Sequence, residues 1–394
     1  MTKNDDKRVP VLRFKGFNDD WAQRKLGDNI TVSKIKNKKN NHFIPYSISN
    51  KWGFIPQEKQ FGEGNAYSKT NKATNYIVEP NAFAYNPARI NVGSIAYQNN
   101  QFPVIVSSLY EIFKTKKNLN DKFLMNWFKT EKFTRQIQKL QEGGVRQYFF
   151  IDKMQESRIT IPSISEQEEI SKALDQINNL INLQQRKAKQ LKLLKKAMLQ
   201  DLFTDKNVPK LRFNGFDANW IQCKLEKEAL LTMGQSPSGS TYSDQPSTYI
   251  LVQGNADLKN GWVKPRIWTT QITKLAKKGD IIITVRAPAG KVGRTNFDVV
   301  LGRGVASIQG NDFIFYLLSK MDINKYWKKY AAGSTFESIN SNDIKNTRVH
   351  VPNLSEQNRI ANLFLRLDDL IRFQQNKLNN LQKTKQFLLQ NMFI

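Results

Sequence analysis

The sequence is short of the residues on which much protein chemistry depends. Cys223 is its only cysteine, and His42 and His350 are its only histidines. No disulfide can close within the chain, so a reducing, cytoplasmic compartment is expected, and a Cys/His zinc site is excluded. Long apolar runs are missing as well: "DIIITV" at Asp280 and "YILV" at Tyr249 are strand-length, far short of a membrane span. The opening "MTKNDDKRVP" is polar where a secretory leader would be cationic and then apolar. Acidic residues are scarce, 34 against 61 basic ones, which gives a net charge of +27. Self-repulsion on that scale is unfavourable for folding and points to an anionic partner; with no membrane segment, nucleic acid fits best.

Signatures of catalysis fail in the same way. "GKV" at Gly290 lacks the hydroxyl residue that a phosphate loop needs after its lysine. Asn86–Pro87 is followed by Ala88, where an amino-methyltransferase would place a second proline and an aromatic, so a turn at the end of a strand is expected there. No glycine-rich cofactor loop opens a helix, and there is no helicase or nuclease constellation. The chain is expected to recognise and to scaffold, with no catalytic, cofactor-binding or metal-binding residues of its own.

What the sequence does contain is a repeat. "VPVLRFKGFNDDW" from Val9 returns as "VPKLRFNGFDANW" from Val208. A longer segment from Ile161, "IPSISEQEEISKALDQINNLINLQQ", returns from Val351 as "VPNLSEQNRIANLFLRLDDLIRFQQ". Two copies of one frame therefore hold two inserts, roughly residues 28–155 and 227–345, which share little with each other except near their ends.

The longer repeated segment has a heptad pattern. Ile170, Leu174, Ile177, Ile181, Ala188, Leu191, Met198 and Leu202 alternate at spacings of four and three, with Gln184 and Lys195 interrupting the seam. The second copy gives Ile360, Phe364, Leu367, Ile371, Leu378, Leu381, Leu388 and Met392, interrupted by Gln374 and Lys385. Ser165 and Ser355 are N-cap candidates just after Pro162 and Pro352. The pattern predicts helices over about 165–203 and 355–393, each about 58 Å long at ~1.5 Å per residue. A helix with one apolar stripe needs a partner. Each could pack on its own neighbouring domain, or the two could pack on each other, antiparallel. The matched polar interruptions favour the antiparallel pair, with Gln184 and Gln374 meeting near the midpoints. The first helix runs straight into the second copy of the opening phrase, whereas nothing repeats after the second helix. Leu12, Phe14, Phe17 and Trp21 are therefore expected beside the C-terminal end of the second helix, as Leu211, Phe213, Phe216 and Trp220 are beside the first.

Two unlike basic inserts in like frames suggest two unlike half-sites on DNA. In the first insert, Lys34, Lys36, Lys38 and Lys39 form a cluster without carboxylates, suited to phosphate. Arg146 and Gln147 follow a glycine pair and carry groups that can contact guanine and adenine bidentately. In the second, "GQSPSGST", "TVRAPAGKVGR" and "LGRGVAS" offer Ser236, Ser238, Arg286, Lys291, Arg294 and Arg303 from glycine-punctuated turns. Any one of these could equally be a solvated turn residue.

The arrangement as a whole resembles the specificity subunit of type I restriction–modification systems. "LRFNGFDANWIQCKLEK", "GQSPSG", "GDIIITVRAPAGKVG" and "GSTFESINSNDIKNTRVHVPNLSEQNRIANLF" look like phrases of such subunits, and the resemblance covers essentially the whole chain. It implies an α+β fold: two pseudo-twofold-related α/β target-recognition domains joined by two long helices that form an antiparallel coiled coil. It implies joint segments at 1–27 and 208–226, target-recognition domains at 28–155 and 227–345, and helix-bearing conserved regions at 156–207 and 346–394. The implied partners are double-stranded DNA with an interrupted bipartite site, two modification subunits that methylate adenine, and two ATP-dependent motor/nuclease subunits where these are present. S-adenosylmethionine, ATP and magnesium would belong to those partners, in a bacterial cytoplasm. The competing reading is a nonspecific coiled-coil scaffold for nucleic acid, which would have no need of two unlike inserts.

Overall fold

The structure is a computed structural model that describes residues 9–62, 72–144, 147–331 and 338–394. The chain forms two compact units: Met1–Gln185 with Lys377–Ile394, and Arg186–Asn376. Both boundaries fall inside the long helices.

The first unit opens with strand β1 (Ala22–Lys25), which pairs antiparallel with β10 (Arg158–Ile161), Ala22 lying opposite Ile161. Between them lie β2 (Ile30–Val32), β3 (Tyr46–Ser49), β4 (Gly53–Pro56), β5 (Tyr76–Val78), β6 (Phe83–Tyr85), β7 (Ile95–Tyr97), β8 (Val104–Val106) and β9 (Glu111–Thr115). Helices α1 (Gln57–Phe61), α2 (Asp121–Trp127), α3 (Glu131–Leu140) and α4 (Ile151–Glu156) complete the insert, and the long helix α5 (Ile164–Leu202) follows. Strands β2, β9, β6 and β7 form one antiparallel sheet in that order. Alternation along the strands sends successive side chains to opposite faces. Phe83, Tyr85 and Phe113 pack with Phe123, Trp127 and Phe133 of α2 and α3. Ala84 and Ile112 face the other way, onto Val78, Val104 and Val106.

The second unit contains β11 (Ile221–Lys224), β12 (Leu230–Met233), β13 (Tyr242–Ser243), β14 (Tyr249–Val252), β15 (Leu258–Lys259), β16 (Trp262–Val263), β17 (Ile267–Thr269) and β18 (Leu275–Ala276). It continues with β19 (Ile281–Thr284), β20 (Val292–Arg294), β21 (Val299–Leu301), β22 (Val305–Gln309) and β23 (Arg348–Val351). Its helices are α6 (Asp312–Ile323), α7 (Lys328–Ala331), α8 (Ser341–Lys345) and the long α9 (Leu354–Asn391). Strands β12, β22, β19 and β20 are neighbours in that order and antiparallel, the construction of β2, β9, β6 and β7; β16 and β15 extend that sheet. The two-sided packing also recurs. Ile281, Ile283, Ala306 and Ile308 join the helices, while Ile282 and Val305 face a second sheet with Val252, Val299 and Leu301. Thus the inserts, unlike in sequence, share a sheet order that strand-length motifs could not disclose.

The repeated phrase is a joint, built identically in each unit. β1–β10 and β11–β23 pair in matching registers, and Leu26 N–H donates to Ser157 O as Leu225 N–H donates to Thr347 O. Trp21 and Trp220 are buried, edge-on to Phe123 and Phe313. Arg13 binds both oxygens of the buried Glu166 at 2.8 Å, and Arg212 binds both oxygens of the buried Glu356 at the same distance. A bidentate pair of this kind fixes geometry as well as charge. In the first unit the joint docks on the end of α9: Leu12 N–H donates to Asn391 O, and Trp21 shares a core with Leu389, Met392 and Phe393. Leu211 N–H donates to Asp201 O in the second unit. Leu12 and Leu211 dock through their backbone, since both side chains are exposed, and Phe17 and Phe216 are only half-buried.

Inside each unit the two long helices run antiparallel. The start of α5 (Ile170, Leu174) packs with the end of α9 in the first unit. In the second, Lys195 pairs with Asp368 while Phe203, just past the end of α5, meets Phe364, earlier on α9. The seam residues Ile170, Leu174, Ile177, Ile181, Gln184, Leu191, Ile360, Phe364, Leu367, Ile371, Gln374 and Leu381 are all buried or half-buried. One detail differs from expectation. The helices begin one residue earlier, so the caps are Ser163 and Asn353, which accept from Glu166 N–H and Glu356 N–H, and Ser165 and Ser355 lie inside the first turn. The Oε1 atoms of Gln184 and of Gln374 are each buried without a hydrogen-bond partner among the described residues.

Among the described residues no helix is long and apolar enough to cross a membrane. No group of three or more acidic, His or Cys side chains among them could hold a metal ion.

Candidate nucleic-acid interface

In both units the loops at one end of the shared four-stranded sheet converge. In the second unit β12 leads away from the joint into Gly234–Ser238, which lies against the β21–β22 turn. A side chain at Gly234 would meet Gly302 O at 2.1 Å, and one at Gly304 would meet Gln253 O at 2.1 Å. Only glycine allows backbones so close. Gly234 N–H donates to Val305 O, Gln235 N–H to Leu301 O and Arg303 N–H to Ser236 Oγ, 3.0 Å away. Arg303 is thereby presented, exposed, between two glycines in a turn that cannot shift without breaking these contacts. The loop after β19 joins the same cluster through Val285 N–H to Gly304 O. Thr284 accepts from Gly290 N–H on its carbonyl and from Lys291 N–H on its hydroxyl. The buried Trp327 ring fills the space where a side chain at Gly290, which has positive φ, would stand. Arg286 is exposed on this loop and bridges Ser338. Ser238 is exposed, its N–H bound to Gln271 Oε1.

The first unit brings together equivalent loops. Ser33–Lys36 follow β2, the β3–β4 tip spans Asn50–Trp52, Asn86–Val92 follow β6, and Ser107–Tyr110 connect β8 to β9. Ser94 Oγ donates to Ile48 O, Tyr110 OH accepts from Ile48 N–H, and Phe149 N–H donates to Pro87 O. That last contact ties in a small bridge between Glu142 and Tyr148, beside which the exposed Gln147 lies. Asn86 takes the turn expected of it, its Oδ1 accepting from Ala88 N–H. Buried Asn37 organises the lysine segment by bonding Asn41 in both directions, leaving Lys36, Lys38 and Lys39 exposed; Lys34 pairs with Glu111 at 3.2 Å.

Not every residue singled out in the sequence belongs to these clusters. Arg146 lies outside the described residues. Arg294 sits at the far end of β20, paired with Asp312 and over the Phe315 ring, so it is a packing residue of the sheet–helix contact and not a free cation. Lys291 is engaged by Asp322 at 2.8 Å. Conversely, the sequence reading passed over Lys51, Trp52, Arg89, Val92 and Leu109, all of them exposed on the first cluster. Their one signal was a lone aromatic beside a lysine between two strand patterns.

The two ends thus differ in chemistry on one backbone plan. The second is glycine, serine and arginine; the first is lysine and arginine with exposed apolar side chains.

The model of the type I restriction modification DNA specificity domain matches residues 18–193 and 232–383. A putative type I restriction enzyme MjaX specificity subunit of Methanocaldococcus jannaschii is 26% identical over 94% of this chain and 92% of its own length. The MjaVIII specificity subunit of the same organism is 23% identical over 94% and 91%. Among solved structures, the type I restriction-modification S subunit of M. genitalium superposes with a TM-score of 0.61 at 12% identity, over 98% of this chain and 99% of that one. A chain from a type I R-M system studied for complex assembly and conformational transition gives 0.62 at 20% identity, over 95% and 97%. With both copies of the frame matched, the chain belongs to the family of type I restriction modification DNA specificity domains and is the DNA-recognition subunit of such a system.

Proposed function

We propose that each loop cluster reads one half of an interrupted DNA site, and that the long helices set the gap and dock two adenine-methylating modification subunits. One observation carries this reading: the same four-stranded sheet presents, at the same end, two loop clusters of different chemistry. A nonspecific bridge gains nothing from such a difference, whereas two unlike half-sites require it. Arg303, Arg286, Ser236 and Ser238 would take base edges and phosphates in one half; Lys34, Lys36, Lys38, Lys39, Arg89 and Gln147 would do so in the other. S-adenosylmethionine would be held by the modification subunits and ATP with magnesium by any motor subunits, all in the bacterial cytoplasm. The test is to co-express the chain with its modification subunit in a methylation-free host and map modified adenines across the genome. The expected result is a single interrupted motif with unlike halves; a stable complex that binds DNA and marks no motif would favour a nonspecific scaffold.

A further inference from the structure

The segment "YSISNKWGFIP" folds as the β3–β4 hairpin, with Ser49 opposite Gly53 and only Asn50, Lys51 and Trp52 at the tip. Gly53 has φ +66, the left-handed conformation that closes a three-residue hairpin loop. Ser49 Oγ accepts from the N–H groups of Lys51 and Trp52, at 3.2 and 3.3 Å. The tip is therefore held from within, with no help from the indole. Trp52 is 67% exposed, while Trp21, Trp127, Trp220 and Trp327 are almost fully buried. Lys51 Nζ lies 4.8 Å from its ring centroid, which covers one face and leaves the outer edge free.

An exposed indole at a rigid tip does nothing for the fold, and its surroundings indicate its partner. Lys51 and the neighbouring Arg89 are exposed cations, and the loop after β6 approaches the tip through Ser94 and Gly93. At the equivalent strand end of the second unit, Gln253 packs against the Gly302–Gly304 turn that presents Arg303. A two-stranded ribbon fits the DNA major groove, and the apolar feature of that groove's floor is the thymine C5-methyl. We propose that Trp52 makes an apolar contact with a thymine methyl in the half-site read by the first unit. The proposal rests on the reading that both loop clusters contact DNA.

The test uses the full chain and a pool of randomised duplexes, from which bound sequences are selected and sequenced. Each thymine of the half-site assigned to the first unit is then replaced by deoxyuridine, which lacks only the methyl. The wild-type chain should lose about fourfold in affinity at one position, the worth of one buried methyl-sized group. Trp52→Ala should lose affinity for the thymine duplex and be indifferent to the replacement, and Trp52→Phe should recover part of the loss. Because the indole is exposed, both variants should melt with the wild type. Equal sensitivity to deoxyuridine in wild type and Trp52→Ala would overturn the contact, as would a selected half-site without thymine. An equal loss on both duplexes with altered DNA bending would make Trp52 a wedge and also overturn it. If the pool yields no preferred sequence at all, the reading of both clusters fails, an outcome distinct from unaffected selection by Trp52→Ala, which removes the Trp52 contact alone.

Discussion

The two units agree where they build the frame and differ where the helices meet the inserts. In the second unit, Lys195 on α5 pairs with Asp368 on α9 and lies 5.1 Å from the Tyr316 ring centroid. Tyr316 OH donates to the same carboxylate at 2.8 Å, and burial, then Asp368, holds that phenol well above the usual tyrosine range. Lys320 of α6 reaches Asp205 at 3.3 Å. In the first unit the repeat puts Lys385 where Lys195 stands and Asn178 where Asp368 stands, and Lys129, just past α2, lies near Lys385. Burial lowers the Lys385 ammonium, and desolvation, then Lys385, lowers Lys129 to about 8. One junction is satisfied by carboxylates; in the other, burial and Lys385 depress Lys129 against the opposing pull of Asp175. The joint keeps the same buried ion pair in both units, whereas the charged groups of the junction differ between them.

The largest effect should come from the part the units share. Arg212→Met leaves Glu356 buried and unpaired, which should cost about 3–5 kcal/mol in thermal unfolding of the second unit. Arg13→Met should cost the first unit a similar amount against Glu166; a small effect in either would mean that the joints are not equivalent.

Gly304→Ala should cost about 1–3 kcal/mol, the scale of overpacking, because its added carbon would meet Gln253 O at 2.1 Å. Sequence preference should vanish in one half-site and survive in the other, read by selection from random duplexes. Gly143→Ala, in the first unit, should leave the second half-site untouched.

Asp368→Asn makes the second junction resemble the first. With Asp368 partly exposed, the loss should be about 1 kcal/mol. The reverse change, Asn178→Asp, should raise the Lys385 pKa and stabilise the first unit by about as much at neutral pH. Lysines whose pKa is depressed on folding make stability rise with pH between the folded and unfolded values. For Lys129 that window runs from about 8 to the ordinary lysine value of 10.5, and Lys129→Met should flatten the rise in denaturant titrations across it.

Much of this was legible in the sequence. The repeat, the two helices and the docking of the opening phrase on the end of α9 follow from residue spacing, because a heptad seam and a doubled Trp joint leave direct marks. The common sheet of the inserts was not legible, because three- to five-residue strands tolerate Phe83 and Tyr85 in one copy and Ile281 and Ile283 in the other. Glycine-punctuated turns pointed alike to Arg286, Arg303 and Arg294, of which the first two lie exposed in loops and the third in a strand, since a strand end and a turn look alike when only the neighbouring glycines are read. Trp52 was passed over because exposure of a single indole has no sequence pattern.

The most direct measurement is half-site-resolved binding by Arg303→Ala in the full chain. If each cluster reads its own half, this variant should lose roughly 1–3 kcal/mol of discrimination, about a tenfold change or more, confined to one half-site, with the other half and the gap unchanged. A loss spread evenly over both halves, or over unrelated DNA, would contradict the division of reading between the two units.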